Sequence, residues 1–205
     1  MIRVLKPYAM LLWNTPYPEY QIEYCSRICY DTTDKLKTGS EEGDKMLRRL
    51  KKSGHLSCFE HASASFEITC SRACHVQIIR HRTMSYLAKS QRYVKVKEAL
   101  DICLMNPATQ EEEAFFNLAY HEYQRRILSG QRPEQAREVL PNATATRMCM
   151  TGNFTNWRRF LDMRLDKHAQ DEIRYLAGQM AMELKHIAPV IFEDYDTSEW
   201  ELKPG

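Results

Sequence analysis

The sequence predicts a mixed α/β chain folded as one domain, with helices outnumbering strands. Three observations carry this. Hydrophobic residues make up 43% of the 205 positions, enough to bury a substantial core. Several stretches repeat apolar residues every three to four positions, while only two longer stretches alternate with period two. The 7 glycines and 8 prolines are scattered, and no low-complexity tract, linker or internal period divides the chain.

Ile2-Arg3-Val4-Leu5 reads as a short edge strand. Between Pro16 and Tyr30, the near-helical spacing of Tyr20, Ile22, Cys25, Ile28 and Cys29 predicts a first amphipathic helix. Ser40 starts a second, carrying Met46, Leu47 and Leu50, and Gly54 sits where a left-handed residue ends a helix. From Ala62 to Ser71 the period becomes two, with Ala62, Ala64, Phe66, Ile68 and Cys70 on one side, a half-buried strand. Ser71 then caps a helix expected to run through Arg82, with Ala73, Val76 and Ile79 inward. Glu111 to Ser129 is a long helix (Ala114, Phe115, Leu118, Ala119, Tyr123 and Ile127 inward) closed by Gly130, and Pro133 suits the first turn of a short one. Ala143 to Thr151 is a second core strand. Asn153 or Thr155 caps a helix bearing Trp157, Phe160 and Leu161, and a last helix runs from about His168 to Ala188, stopped by Pro189.

Charge excludes several function classes. Lys plus Arg total 29 against 27 Asp plus Glu, leaving +2, so no global field recruits nucleic acid or a membrane and any anion site must be local. Seven cysteines, an odd number without a CxxC pair, argue against a disulfide scaffold and for reduced thiols in the cytoplasm. Apolar runs such as Met10 to Trp13 fall far short of the roughly 20 residues of a membrane helix, and the N-terminus lacks a signal peptide's apolar region.

The densest chemistry lies between Arg80 and Tyr93, where three arginines, a lysine, a histidine, two serines and two tyrosines occur without a carboxylate. Guanidinium groups grip phosphate bidentately and hydroxyls donate to its oxygens, so a helix running into this loop can converge on one anion such as a nucleotide. A solvated basic loop touching acidic neighbours is the plainer alternative.

Arg80-His81-Arg82, seven residues, then Ser90 resembles the signature of the flavin-dependent thymidylate synthases. Three further blocks follow the same family in order: Gly54-His55-Leu56-Ser57-Cys58-Phe59-Glu60-His61, Ala136 to Pro141 with Thr146-Arg147, and Arg164 leading into His168-Ala169-Gln170-Asp171-Glu172-Ile173-Arg174. The resemblance implies helices packed on a twisted sheet and a homotetramer with active sites between subunits. It also implies reductive methylation of dUMP at C5: methylenetetrahydrofolate gives the carbon, NADPH the electrons, and FAD relays them.

The residue roles follow from the same resemblance. Arg80, His81 and Arg82 bind FAD, with His55, Ser57, Arg164 and His168 in the flavin and folate region. Gln77, one turn before Arg80, contacts the nucleotide with it. Ser90, Gln91 and Arg92 hold the nucleotide and its phosphate, and Arg147 reaches that phosphate from another subunit. Arg174 faces the uracil, stabilises negative charge at N3 and O4, and is the catalytic candidate. Other readings accompany these: Ser90 as a nucleophile, His55, Cys58 and His61 as zinc ligands lacking a fourth partner, and His168 as a helix cap. Cys25, Cys29, Cys70 and Cys74 read as small buried hydrophobes, and no metal is expected.

Three positions depart from the family pattern, Leu87 and Ala88 where Asn-Glu is usual and Gln91 after Ser90. Ala88 stands where a glutamate is usual, so another acceptor must serve or the substrate differs, and Gln91 replaces glycine with an amide that can read a ribose hydroxyl or a base edge. UMP or a cytidine nucleotide is therefore an alternative substrate. A non-catalytic flavin- or nucleotide-binding protein, and an RNA-binding loop using Tyr86 and Tyr93, are readings from other classes; near-neutral charge disfavours the last.

Overall fold

The computed structural model describes residues 1–96 and 98–200. Ile2–Leu5 forms the expected short strand, β1, and the apolar run after Pro7 is a strand too, β2 (Tyr8–Asn14). Helix α1 (Pro18–Ile28) begins on its proline. Its buried side is not the one the apolar spacing predicts: Ile22 goes inward with Glu23 and Ser26, while Tyr20, Ile28 and Cys29 are exposed. The Glu23 carboxylate is accommodated because it accepts hydrogen bonds from Arg27 Nε at 2.7 Å, the Lys37 amide at 3.1 Å and the Thr38 hydroxyl.

Helix α2 (Glu41–Lys52) is capped as expected, Ser40 Oγ accepting from the Gly43 amide at 3.3 Å, and Gly54 follows with φ 72°. A 3₁₀ turn, Leu56–His61, leads into β3 (Ser63–Ser71), whose Ala64, Phe66, Ile68 and Cys70 are fully buried. Helix α3 (Arg72–Ile78) has the expected Ser71 cap, accepting from the Cys74 amide at 3.0 Å, but stops at Ile78 instead of Arg82. The carbonyls at and past its end are shared between local turn amides and side-chain donors: Tyr86 Oη donates to Ile78 O at 3.0 Å and His81 O at 2.8 Å, and Arg164 Nη2 to Gln77 O at 3.1 Å, beside the amides of His81, Met84 and Arg80 respectively. The helix also faces differently. Cys74, His75 and Ile78 are buried, and Val76 and Ile79 are exposed.

Two strands unmarked by the sequence pattern follow, β4 (Ser85–Ala88) and β5 (Leu100–Cys103). Helix α4 (Gln110–Leu128) has a Thr109/Glu112 capping box and closes at Gly130, φ 90°, but buries Phe116, Tyr120 and Tyr123 and leaves Phe115 and Leu118 exposed. After α5 (Pro133–Ala136) come β6 (Ala145–Asn153) and α6 (Phe154–Arg164), whose first turn is capped by Asn153 Oδ1, 2.9 Å from the Asn156 amide. Helix α7 (Asp171–Ile187) starts after His168, because residues 166–169 form a turn; Pro189 both ends α7 and opens α8 (Pro189–Phe192).

The main sheet is antiparallel in the order β2-β3-β6-β4, and β1 pairs in parallel with β5 beside it. One sheet face packs Phe66, Ile68 and Met150 under Trp157, Phe160, Ile173 and Leu176 from α6 and α7. The opposite face carries Leu87, Cys149 and Glu67 abreast, with Thr69 beside Arg147. A smaller cluster joins α4 to β5 through Leu100, Ile102, Phe116 and Tyr120. Among the described residues no helix is long and apolar enough to cross a membrane.

Candidate active site

The turn ending α3, the end of α6 and the start of α7 meet in one hydrogen-bonded knot. Arg164 Nε donates to His81 Nε2 at 2.9 Å, and its Nη2 takes Gln77 O. The Gln77 side-chain amide in turn donates to Gln170 Oε1. The His81 ring stands edge-on to Phe160, centroids 4.9 Å apart. Burial, helped by the Arg164 charge, pushes the imidazole down to about 4, so His81 is neutral at pH 7 and its unprotonated Nε2 accepts from Arg164. His81 thus orders its neighbours and brings no positive charge. Arg80 and Arg82 differ from it: both are exposed, and among the described residues neither guanidinium has a hydrogen-bond or ion-pair partner. Of the three consecutive positions, the outer two are available to an anion.

On the far side of the sheet, a groove of about 780 Å³ opens between β6 and the β1–β5 ribbon, lined by Arg3, Glu67, Thr69, Leu87, Lys89 and Arg147 among others. Arg147 is 68% exposed and lies 3.5 Å from Glu67, a loose tether that leaves most of its donors open. Ala88, where the usual glutamate is missing, pairs with Met148 and packs against the core, so its side chain belongs to the helix side of the sheet. In the loop beyond, Ser90 Oγ accepts from the Arg92 amide at 3.2 Å, Gln91 is half-buried, and Arg92 Nε pairs with Glu134 of α5 at 3.1 Å. Among the described residues no histidine contacts Ser90, which therefore lacks the base a serine nucleophile requires.

Arg174 occupies a third place. Its Nη2 donates to Glu199 Oε2 at 2.6 Å, its guanidinium lies over Trp200, and its Nε is buried without a partner beside a cavity of about 270 Å³. Leu165, the residue after Arg164, forms part of the same wall, so this cavity abuts the knot. Within one chain, then, Arg147 lines the groove and Arg174 the smaller cavity, while Arg80 and Arg82 are exposed at the α3 turn and line neither.

The remaining candidates are peripheral. His55 and Ser57 are exposed at the 3₁₀ turn; Cys58 turns inward, donates to His55 O at 3.1 Å, and is pushed up to about 11 by burial. Among the described residues no group of three or more His, Cys, Asp and Glu is arranged to hold a metal ion. Cys70 and Cys74 are buried, and all seven thiols are free. His168 is exposed and bonds the preceding turn, Nδ1 to Asp166 Oδ1 at 2.8 Å, so it does not cap α7. Sequence reasoning did not single out Gln170, Glu199 and Trp200. Gln170 lay within a quoted motif, but nothing local marks the other two as partners of a residue 25 positions away.

An antiparallel sheet backed by helices, with Arg80 and Arg82 exposed at the turn that His81 and Arg164 fix and with Arg147 and Arg174 lining two openings, presents cationic edges of the kind that suit an organic anion. Comparison gives this class a family. Residues 10–190 match the family described as thymidylate synthase complementing protein. The chain is 36% identical over 198 residues to the flavin-dependent thymidylate synthase of Mycobacteroides abscessus, covering 85% of this chain and 78% of that protein. For the enzyme of the same name from Mycobacterium sp. (strain JLS), identity is 37% over 202 residues, with coverage of 85% and 79%. Among solved structures, the UMP/dUMP methylase PolB from Streptomyces cacaoi bound with 5-Br dUMP matches with a TM-score of 0.81 at 25% identity, over 94% of this chain and 96% of that one. The chain belongs to the flavin-dependent thymidylate synthase family of enzymes, as the Arg-His-Arg resemblance implied.

Proposed function

We propose that this protein methylates a pyrimidine nucleotide at C5, converting dUMP to dTMP, with FAD as cofactor, methylenetetrahydrofolate as one-carbon donor and NADPH as electron source. The observation that carries the reading is the free pair Arg80 and Arg82, held at the end of α3 by the His81–Arg164 contact. A flavin dinucleotide has an anionic pyrophosphate and, when reduced, an anionic ring edge, and two exposed guanidiniums without partners among the described residues fit that donor requirement. When bound, FAD passes electrons from NADPH toward the transferred carbon.

The chain's own residues then divide the work. Arg80 and Arg82 hold negative charge, while His81 and Arg164 lock the turn that aims them. Ser90, Gln91 and Arg92 bind the nucleotide and its phosphate as hydrogen-bond donors, and Arg147 adds a second guanidinium to that phosphate. Arg174 polarises the pyrimidine at N3 and O4, which raises electron density at C5. Gln77 supports the nucleotide from the α3 side, and His55, Ser57 and His168 border the flavin and folate region. Because Arg147 and Arg174 of one chain line separate openings, and Arg80 and Arg82 line neither, the reading includes a homotetramer whose active sites draw residues from more than one subunit. Seven free thiols suit a cytoplasmic setting.

UMP is the second reading. It is favoured by the description of the 25%-identical PolB as a UMP/dUMP methylase and by Gln91, whose amide can meet a ribose hydroxyl. The test is direct: protein, FAD, NADPH and methylenetetrahydrofolate are incubated separately with dUMP, UMP and dCMP, and products are weighed by mass spectrometry. A gain of one CH₂ on dUMP is expected. A gain on UMP alone moves the assignment to the ribonucleotide, and no gain on any of the three refutes methylation.

A further inference from the structure

We propose that the C-terminal arm Asp196–Trp200 occupies the pyrimidine subsite around Arg174 and competes with the nucleotide for it. The proposal rests on the reading that Arg174 meets the pyrimidine, and adds that the subsite carries its own occupant.

The arm engages Arg174 as a flat, oxygen-bearing ring would. Glu199 Oε2 accepts from Nη2 at 2.6 Å, and the Trp200 indole stacks on the guanidinium with 5.1 Å from its carbon to the ring centroid. Trp200 lies against α7 at Gly178, where a Cβ would collide with the indole, and stands edge-on to Tyr175 with centroids 6.1 Å apart. The arm is prefolded for this contact. The Trp200 amide donates to Thr197 O at 2.9 Å, and Asp196 Oδ1 accepts from the Ser198 amide at 3.0 Å and its hydroxyl at 2.7 Å. Thr197 is buried, anchoring the arm's base.

In this arrangement the subsite cannot accept a nucleotide. Asp196 and Glu199 line the cavity beside Asp194, whose charge Lys51 and Arg158 already balance, so the electronegative N3/O4 edge of a pyrimidine entering there would face carboxylates while the Arg174 Nη2 donor is taken. The volume of about 270 Å³ is already bounded by the indole. Yet the closure is incomplete: Arg174 Nε is buried without a partner, a donor that the arm leaves unsatisfied and an incoming acceptor could reach. The ion pair is also weak enough to open, since Glu199 is 58% and Arg174 26% exposed. Arm and nucleotide are therefore alternatives on one guanidinium, and the apparent affinity for nucleotide is the intrinsic affinity reduced by the fraction of chains with the arm open.

The test uses flavin-loaded full-length protein and dUMP as the probe, with binding measured by titration calorimetry. Glu199→Gln, which keeps the shape of the arm but removes its charge, and Trp200→Ala are each expected to tighten dUMP binding by roughly three- to tenfold. Arg174→Ala is expected to weaken it at least tenfold, and Glu199→Gln added to Arg174→Ala to have no further effect. If Arg174→Ala weakens binding but Glu199→Gln and Trp200→Ala leave it unchanged or weaker, the arm is not a competitor and the proposal fails while the role of Arg174 stands. If Arg174→Ala leaves dUMP binding unchanged, it is the role of Arg174 that fails. Should Trp200→Ala not fold, Glu199→Gln alone decides.

Discussion

Replacing Arg164 with methionine removes two hydrogen bonds at once, to His81 Nε2 at 2.9 Å and to Gln77 O at 3.1 Å, while keeping much of the side chain's bulk. Hydrogen bonds made by a charged group contribute about 1.5–3 kcal/mol each when buried; at this half-buried place the loss should be about 2 kcal/mol in all. For a chain of this size that lowers Tm by about 4–8 °C. A second signature is specific to the imidazole. His81 sits at about 4, first through burial and second through the Arg164 charge. Between its ordinary value of about 6.5 and that figure, the unfolded chain takes up a proton the folded chain refuses, so stability falls as pH drops through this window and levels off below it. With the ring half-buried, this loss should amount to about 1–2 kcal/mol. In Arg164→Met the folded value rises, the window narrows, and the acid-side loss shrinks. Thermal unfolding between pH 7 and pH 4, with the His81 ring proton followed by NMR, measures both. An unchanged Tm, or a wild-type His81 titrating at its ordinary value, would refute the account of the knot.

Glu172 is a second structural test: its carboxylate accepts from the Ser71 amide at 2.7 Å and hydroxyl at 2.6 Å, joining the starts of α3 and α7 in the interior, so Glu172→Ala should cost about 3 kcal/mol in urea denaturation, and a loss under about 1 kcal/mol would contradict it. Arg174→Ala should lower kcat by about 10²–10³ with flavin absorbance retained, because one charge-stabilising donor is gone; loss of flavin from an otherwise folded protein would reassign the residue. Ser90→Ala should keep measurable turnover, since no described histidine stands beside Ser90 as a base, and complete inactivity with normal nucleotide affinity would reinstate a nucleophile.

Where local chemistry decides an element, the residues themselves disclosed it. Ser40, Ser71 and Asn153 cap the helices they were expected to cap, Gly54 and Gly130 adopt the left-handed turns, and the alternation from Ala62 to Cys70 is the central strand. Where partners come from far along the chain, the pattern misleads. Nothing near Ile78 announces that Tyr86 and Arg164 will share the carbonyls at the end of α3, and nothing near Glu23 announces that Lys37 and Thr38 will satisfy it inside. On α4, aromatic rings stand on both sides of the helix, and only packing against β5 selects Phe116 and Tyr120 over Phe115. The site divides the same way. The motif placed Arg80, His81 and Arg82 together, but which two face outward depends on Phe160 and Arg164 behind the third. β4 and β5, no shorter than the expected β1, went unread: β4 lies inside the basic stretch whose residues read as a loop, and β5 directly follows that stretch's continuation.

Gly178 is a conformationally expensive choice in the middle of a helix, disfavoured by about 0.5–1 kcal/mol relative to alanine. What the vacancy of one methyl secures is room for the indole of Trp200, 22 positions further along the chain. A Gly178→Ala protein would have a firmer helix and an evicted tryptophan, so its responsiveness to nucleotide would change through a position that no ligand touches. Gly178 stands one turn beyond Arg174 on the same face of α7, so on the proposed competition a single carbon atom there would act as a steric latch on the indole.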